Sequence, residues 1–144
     1  MTVVVVDANF SLAQVLPLPY SPAVVQRMHA WQDELPRLLA PGLWEYEVVT
    51  GLRRACFHGL LSLGQAQTSL DDLLGMGLEV VPTSAKLHRR ALEWAERLGG
   101  SRAYDAQYLA LAEQMGAELW TGDQRLANGA AVLSVEWVHW VGES

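Results

Sequence analysis

Four consecutive valines, Val3 to Val6, run without interruption into Asp7. β-branched residues favour an extended chain, and a strand that is apolar at every position is covered on both faces, the pattern of a parallel sheet held between helices. A carboxylate directly after such a strand has no place in a core. In open α/β sheets the ligand crevice lies beyond the carboxyl ends of the strands, so Asp7 marks a candidate site.

The remaining chain supplies helices for both faces. Apolar spacing predicts helices over residues 22 to 35, 42 to 58, 63 to 75, 84 to 98 and 102 to 115, and strands over LEVVP (78 to 82), AELWT (117 to 121) and AVLSVEWV (131 to 138). The expected fold class is α/β, a three-layer α/β/α sandwich with a mostly parallel central sheet, formed by residues 1 to 144 as one domain. The Pro-rich stretch LPLPYSP, residues 16 to 22, lies too near the amino end to divide two domains. At 51% hydrophobic and 18% charged residues, the chain has enough apolar surface for a full core.

Composition also removes several function classes. Cys56 is the single cysteine, so an internal disulfide and a cysteine-based metal cage are excluded, and the four histidines show no close ligand spacing. No apolar run reaches the ~18 residues of a membrane span, and Asp7 interrupts the first ten residues too early for a secretory signal. A soluble, cytoplasmic protein with no membrane partner is expected. A formal charge of −6 advertises no broad surface for polyanions, so a nucleic acid would have to be held locally.

Further acids stand at informative positions. On a helix of 100° per residue, Leu109, Ala112 and Gly116 fall within about 40° of Asp105, while Gln107, Ala110, Glu113 and Gln114 occupy the opposite side, so Asp105 faces inward. Asp123 follows the strand AELWT through one glycine, again at a strand's carboxyl end, although Gly-Asp is also common turn chemistry and an aspartate there can cap the helix that follows. In PGLWEYEVVTGLRR, Glu45 falls between Val49 and Leu52 in the apolar arc and Glu47 at its edge. Periodicity does not choose between them.

Acids gathered at one sheet edge repel by roughly 4 kcal/mol per pair at about 4 Å and an effective dielectric of 20. Protons or a divalent cation must offset that cost. All-oxygen ligands favour Mg²⁺ or Mn²⁺, which suit phosphodiester hydrolysis. The phosphate-binding G-x-x-x-x-G-K-[ST] loop, the G-x-G-x-x-G turn and the G-x-S-x-G elbow are absent.

In order and spacing, VVVVDANF, WEYEVVTGLRR and SRAYDAQYLALAEQMGAELWTGDQRLA resemble PIN-domain proteins of the VapC-like toxin type across nearly the whole chain. The resemblance implies a metal-dependent endoribonuclease, the toxin of a type II toxin–antitoxin system, with Asp7, Glu47, Asp105 and Asp123 as catalytic and metal-binding acids around Mg²⁺ or Mn²⁺. It selects Glu47 over Glu45. It also implies that Asn9 and Thr121 orient carboxylates or waters, and that the protein forms a homodimer and meets a cognate antitoxin as well as an RNA substrate. Arg53, Arg54, Arg102 and Arg125 are candidate contacts to RNA or a partner, with surface ion pairing as their ordinary role. Trp31 and Trp44 are expected in the core or at an interface. The alternative reading is a catalytically silent PIN-like RNA- or protein-binding module. Phosphoacceptor and phosphatase chemistry fit less well: Asn9 stands where the phosphatase needs a second Asp, and Lys86, the only lysine, lies in a helix-like stretch rather than late in the chain.

Overall fold

The structure, a computed structural model, describes residues 2–143. β1 (Val3–Val6) is followed by α1 (Ala8–Leu12), α2 (Ser21–Glu34), β2 (Arg37–Pro41), α3 (Leu43–Phe57), α4 (Leu63–Leu74), β3 (Glu79–Val81), α5 (Ala85–Leu98), α6 (Ala103–Met115), β4 (Glu118–Thr121), α7 (Gln124–Val132), β5 (Val138–Trp140) and a closing 3₁₀ turn, Val141–Glu143. The strands form one sheet in the order β3-β2-β1-β4-β5, and all four pairings are parallel.

The valine strand takes the centre because it alone is apolar on both faces. Val5 joins Leu39 and Leu119 in a core with Leu87, Ala91 and Trp94 of α5 and Ala106, Leu109 and Ala112 of α6. Val4 and Val6 point the other way, onto Phe10 of α1 and Val24 and Trp31 of α2. On β2, Ala40 packs with Trp44, Val48 and Leu52 of α3 and with Leu73 of α4. The sheet is therefore covered on both sides, as its sequence demands.

Helix starts follow local chemistry. Ser62 and Ser84 cap α4 and α5 by accepting from the backbone N–H of Gln65 and Leu87, and the Gln65 side chain accepts from the Ser62 N–H to complete a capping box. Pro22 occupies the first turn of α2, where its missing N–H costs nothing. Trp31 and Trp44 are both core residues, and the Trp44 indole N–H donates to Ser11 Oγ at 2.9 Å, tying α3 to α1.

Three elements differ from the sequence expectation, the first being α1, a short helix capped by Asp7 that lies outside the predicted helices. β2 carries no strand signal of its own: it begins at an arginine and lies between Pro36 and Pro41, which read as breakers, yet it reaches the ladder because Pro41 is its last residue. The strand expected over residues 131 to 138 is mostly not a strand. Ala131 and Val132 complete α7, Ser134 turns left-handed at φ 59°, and bonds from Ser134 N to Ala131 O and from Val135 N to Ala130 O close the helix end. β5 begins only at Val138. Among the described residues no helix is long and apolar enough to cross a membrane.

Candidate functional site

The chain adds β2 and β3 on one side of β1 and β4 and β5 on the other, so the topological switch point lies between β1 and β4. Val6 stands opposite Trp120 in that pairing, which brings Asp7 beside Thr121 just past the strand ends. The Asp7 N–H donates to the Trp120 carbonyl at 3.3 Å, prolonging the ladder by one step.

Asp7 is only 4% exposed. Its Oδ1 accepts from the N–H of Phe10 at 2.8 Å, which caps α1, and from the N–H of Gly122 at 3.2 Å. Its Oδ2 accepts from the Thr121 hydroxyl, whose oxygen in turn accepts from the Asp123 N–H at 2.8 Å. Burial pushes the Asp7 carboxyl up to about 6, against the pull of these donors and with a smaller push from Glu47. A buried acid without a neighbouring cation has this signature.

Glu47 is half-buried and accepts from the Tyr108 hydroxyl at 2.5 Å. Its carboxyl is raised first by burial and further by Asp105, while the tyrosine bond opposes the rise. Glu45 is exposed and lies on the wall of a different cleft, beside Pro41, Val80 and Pro82. A helical wheel cannot separate the two because cover depends on what stands beside a helix: the Glu47 side meets Tyr108 of α6, and the Glu45 side opens outward.

Asp105 is also half-buried, raised by burial and by Asp123 and lowered by Arg102 and Arg125. The one-sided wheel of its helix understates the burial, since α6 is covered at Ala106 and from Tyr108 through Ala112. Asp123 caps α7 by accepting from the Arg125 N–H at 2.9 Å, and Arg125 Nε lies 3.8 Å from the same oxygen. The turn chemistry read from Gly-Asp is real, and it coexists with the electrostatic coupling to Asp105. The four acids thus form a linked series, Asp7 to Glu47 to Asp105 to Asp123.

The remaining candidates separate. Thr121 touches Asp7 and the Asp123 backbone. Asn9 is exposed and lines, with Glu47 and Arg54, a cleft of about 250 Å³ between α1 and α3. Arg102 donates to the Arg125 carbonyl at 3.4 Å, close to the acids it influences. Arg53 turns away into an apolar groove of about 520 Å³ between α3 and α4, with Leu52, Leu63 and Leu70.

Two tyrosines join the site that the sequence pattern does not mark out. The Tyr108 hydroxyl is held well above the ordinary phenol range by burial and then by Glu47 and Asp7. Its place three residues after Asp105, on the same helix face, is the available signal. Tyr20 lies in the Pro-rich loop, donates to the Asn9 carbonyl at 3.3 Å, and is pushed up to about 12 by burial and then by Asp7 and Asp123. A Cβ on Gly122 would stand 2.6 Å from its ring, so glycine is required there if the tyrosine is to rest over the strand end. No local pattern marks Tyr20.

A helix-covered parallel sheet with linked acids at its switch point defines an α/β protein with a candidate ligand site at the carboxyl edge of the strands. The family model for the PIN domain matches residues 4–132, and the chain belongs to the PIN domain family. Among curated proteins none matches the sequence. Solved structures of similar fold include a VapC toxin of Mycobacterium tuberculosis described as cleaving the sarcin–ricin loop (TM-score 0.65, 19% identity, 87% of this chain and 93% of that one). A toxin–antitoxin complex from Klebsiella pneumoniae superposes with TM-score 0.68 at 19% identity, over 96% of this chain and 97% of that one. A VapBC complex of Rickettsia felis bound to promoter DNA gives 0.67 at 16% identity, over 88% and 92%.

Proposed function

We propose that this protein is a divalent-metal-dependent endoribonuclease that serves as the toxin of a type II toxin–antitoxin system, acting in the cytoplasm as a homodimer. The observation that carries this reading is the series of coupled carboxylates at the switch point of a PIN fold, with burial raising Asp7 and Glu47 and no cation among the described residues lowering either. Membership of the family and the toxin folds of its structural neighbours support it.

The donor set fits Mg²⁺ or Mn²⁺. It is all oxygen, and the raised acids are the groups whose charge a cation would stabilise. Among the described residues no three His, Cys, Asp or Glu side chains stand close enough to hold an ion together. That arrangement suits a cation that binds through one or two carboxylates and keeps several waters. Asp7 and Asp105 would hold it directly, and Glu47 and Asp123 through water. When bound, such an ion polarises a phosphoryl oxygen and makes a water acidic enough to attack at neutral pH.

The side chains do the positioning. Thr121 and the Phe10 and Gly122 N–H groups fix both oxygens of Asp7, and Tyr108 fixes Glu47. Arg54 on the cleft wall offers a phosphate its charge. The apolar groove between α3 and α4, with Val49 and Leu63 exposed on it, is of the kind that accepts an amphipathic helix, and supports the antitoxin part of the reading.

Purified protein is expected to cleave RNA with Mn²⁺ or Mg²⁺, to stop in EDTA, and to lose cleavage as Asp105→Asn. Wild-type cleavage by that variant would overturn the site. No cleavage of any RNA, with no thermal shift on adding divalent ion, would leave the binding module as the better reading.

A further inference from the structure

Beside the acidic cleft lies a larger one, about 710 Å³, at the carboxyl ends of β2 and β3. Leu43, Tyr46 and Tyr104 line both clefts, so the two form one trough. Tyr46 is 76% exposed and Tyr104 66% exposed, although each presents an aromatic ring that burial would reward. The larger cleft ends against His88 and Gln107, where Gln107 Nε2 lies 3.1 Å from His88 Nδ1. Between them the imidazole ring and the amide offer both hydrogen-bond donors and acceptors at that end of the cleft.

The two halves of the trough differ in charge. The smaller holds Arg54 beside Glu47. Among the described residues the larger is lined by no lysine or arginine, and its one carboxylate is Glu45. A phosphate would find no cation there. A flat, uncharged ring with donors and acceptors on its edge would find two exposed aromatic faces and a paired imidazole and amide.

The geometry points to a nucleobase subsite: Tyr46 and Tyr104 stack a base of single-stranded RNA next to the phosphate at the acids, and His88 with Gln107 meets the base edge. This rests on the nuclease reading for the identity of the strand. Aromatic side chains on which bases stack are a common means of holding single-stranded nucleic acid beside a cationic contact to the backbone, here Arg54, and stacking tolerates many sequences. The volume lies within the ordinary range of ligand clefts. The subsite also gives an acidic protein a way to hold RNA without a basic surface.

The test is binding in EDTA, where turnover cannot intervene. The probes are a fluorescein-labelled oligoadenylate octamer and an octamer of abasic spacers carrying the same phosphates, each titrated by fluorescence anisotropy against wild type, Tyr46→Ala/Tyr104→Ala and Tyr46→Phe/Tyr104→Phe. Wild type is expected to bind the base-bearing octamer about tenfold or more tightly than the abasic one. The alanine pair should lose that preference and the phenylalanine pair keep it. Equal affinity of wild type for both octamers, or full preference in the alanine pair, overturns the subsite. Loss of a dimer in the alanine pair with RNA affinity unchanged would assign the face to a second copy, which also overturns it. If the preference appears but wild type with Mn²⁺ cleaves no RNA, the subsite stands and the nuclease reading falls.

Discussion

Asp7→Asn is expected to abolish RNA cleavage while raising the melting temperature of the metal-free protein at pH 8. The two effects have one cause. Asp7 is buried, and burial is the largest influence on its carboxyl, which is raised from 3.8 to about 6. At pH 8 the folded protein carries a charge that it disfavours, by roughly 3 kcal/mol for a shift of this size. Asparagine removes that charge and can still accept from Phe10 and Gly122 through its carbonyl oxygen. Its NH₂ then faces the Thr121 hydroxyl oxygen, and the Thr121 proton must find another acceptor, so roughly 3 kcal/mol is the ceiling of the gain. Activity moves the other way. Under the proposed metal role, losing the Asp7 carboxylate forfeits several kcal/mol of transition-state stabilisation, or about three orders of magnitude in rate. A variant that melts well below wild type, or that cleaves normally, contradicts the assignment.

The second large effect is the pH dependence of stability in EDTA. The folded protein holds the Asp7 proton up to about pH 6, whereas the unfolded chain releases it near 3.8. Between those values the folded state binds more protons, so stability falls as pH rises. The contribution is fully present below pH 3.8, is lost through pH 6, and amounts to roughly 3 kcal/mol. Glu47 and Asp105 are raised for the same leading reason and act with the same sign. Glu113, lowered by Arg90, acts oppositely, but only as pH falls below its ordinary value of 4.5. Urea denaturation between pH 4.5 and 6.5 follows the descending limb above the range in which Glu113 acts, and Asp7→Asn should flatten it. A wild-type curve that rises over that interval would contradict a carboxyl raised by burial.

How much of this is legible in the sequence differs by element. Val3 to Val6 can be little other than a central parallel strand, and the strand's own pattern therefore puts Asp7 at the crevice. Asp123 follows by the same logic. β2 is hidden because a short strand between two prolines looks like a break, and its place in the sheet depends on partners distant in the chain. Glu47 and Glu45 are inseparable by period alone, because the deciding neighbour, Tyr108, lies 61 residues away. Tyr20 reaches the acids only through the path of a loop, and no helical or strand period records such a path. Local chemistry reads well from sequence, and the meeting of distant segments reads only where strand order fixes it.

The central claim, that these acids exist to hold a divalent cation, is tested most directly by titrating metal-free protein with Mn²⁺ at pH 7 and following the loss of the free-ion signal by electron paramagnetic resonance. Saturable binding by wild type, greatly weakened in Asp7→Asn and in Asp105→Asn while both remain folded, is the predicted result. Wild type that leaves the Mn²⁺ signal unchanged at millimolar ion, or variants that bind as wild type does, would contradict it.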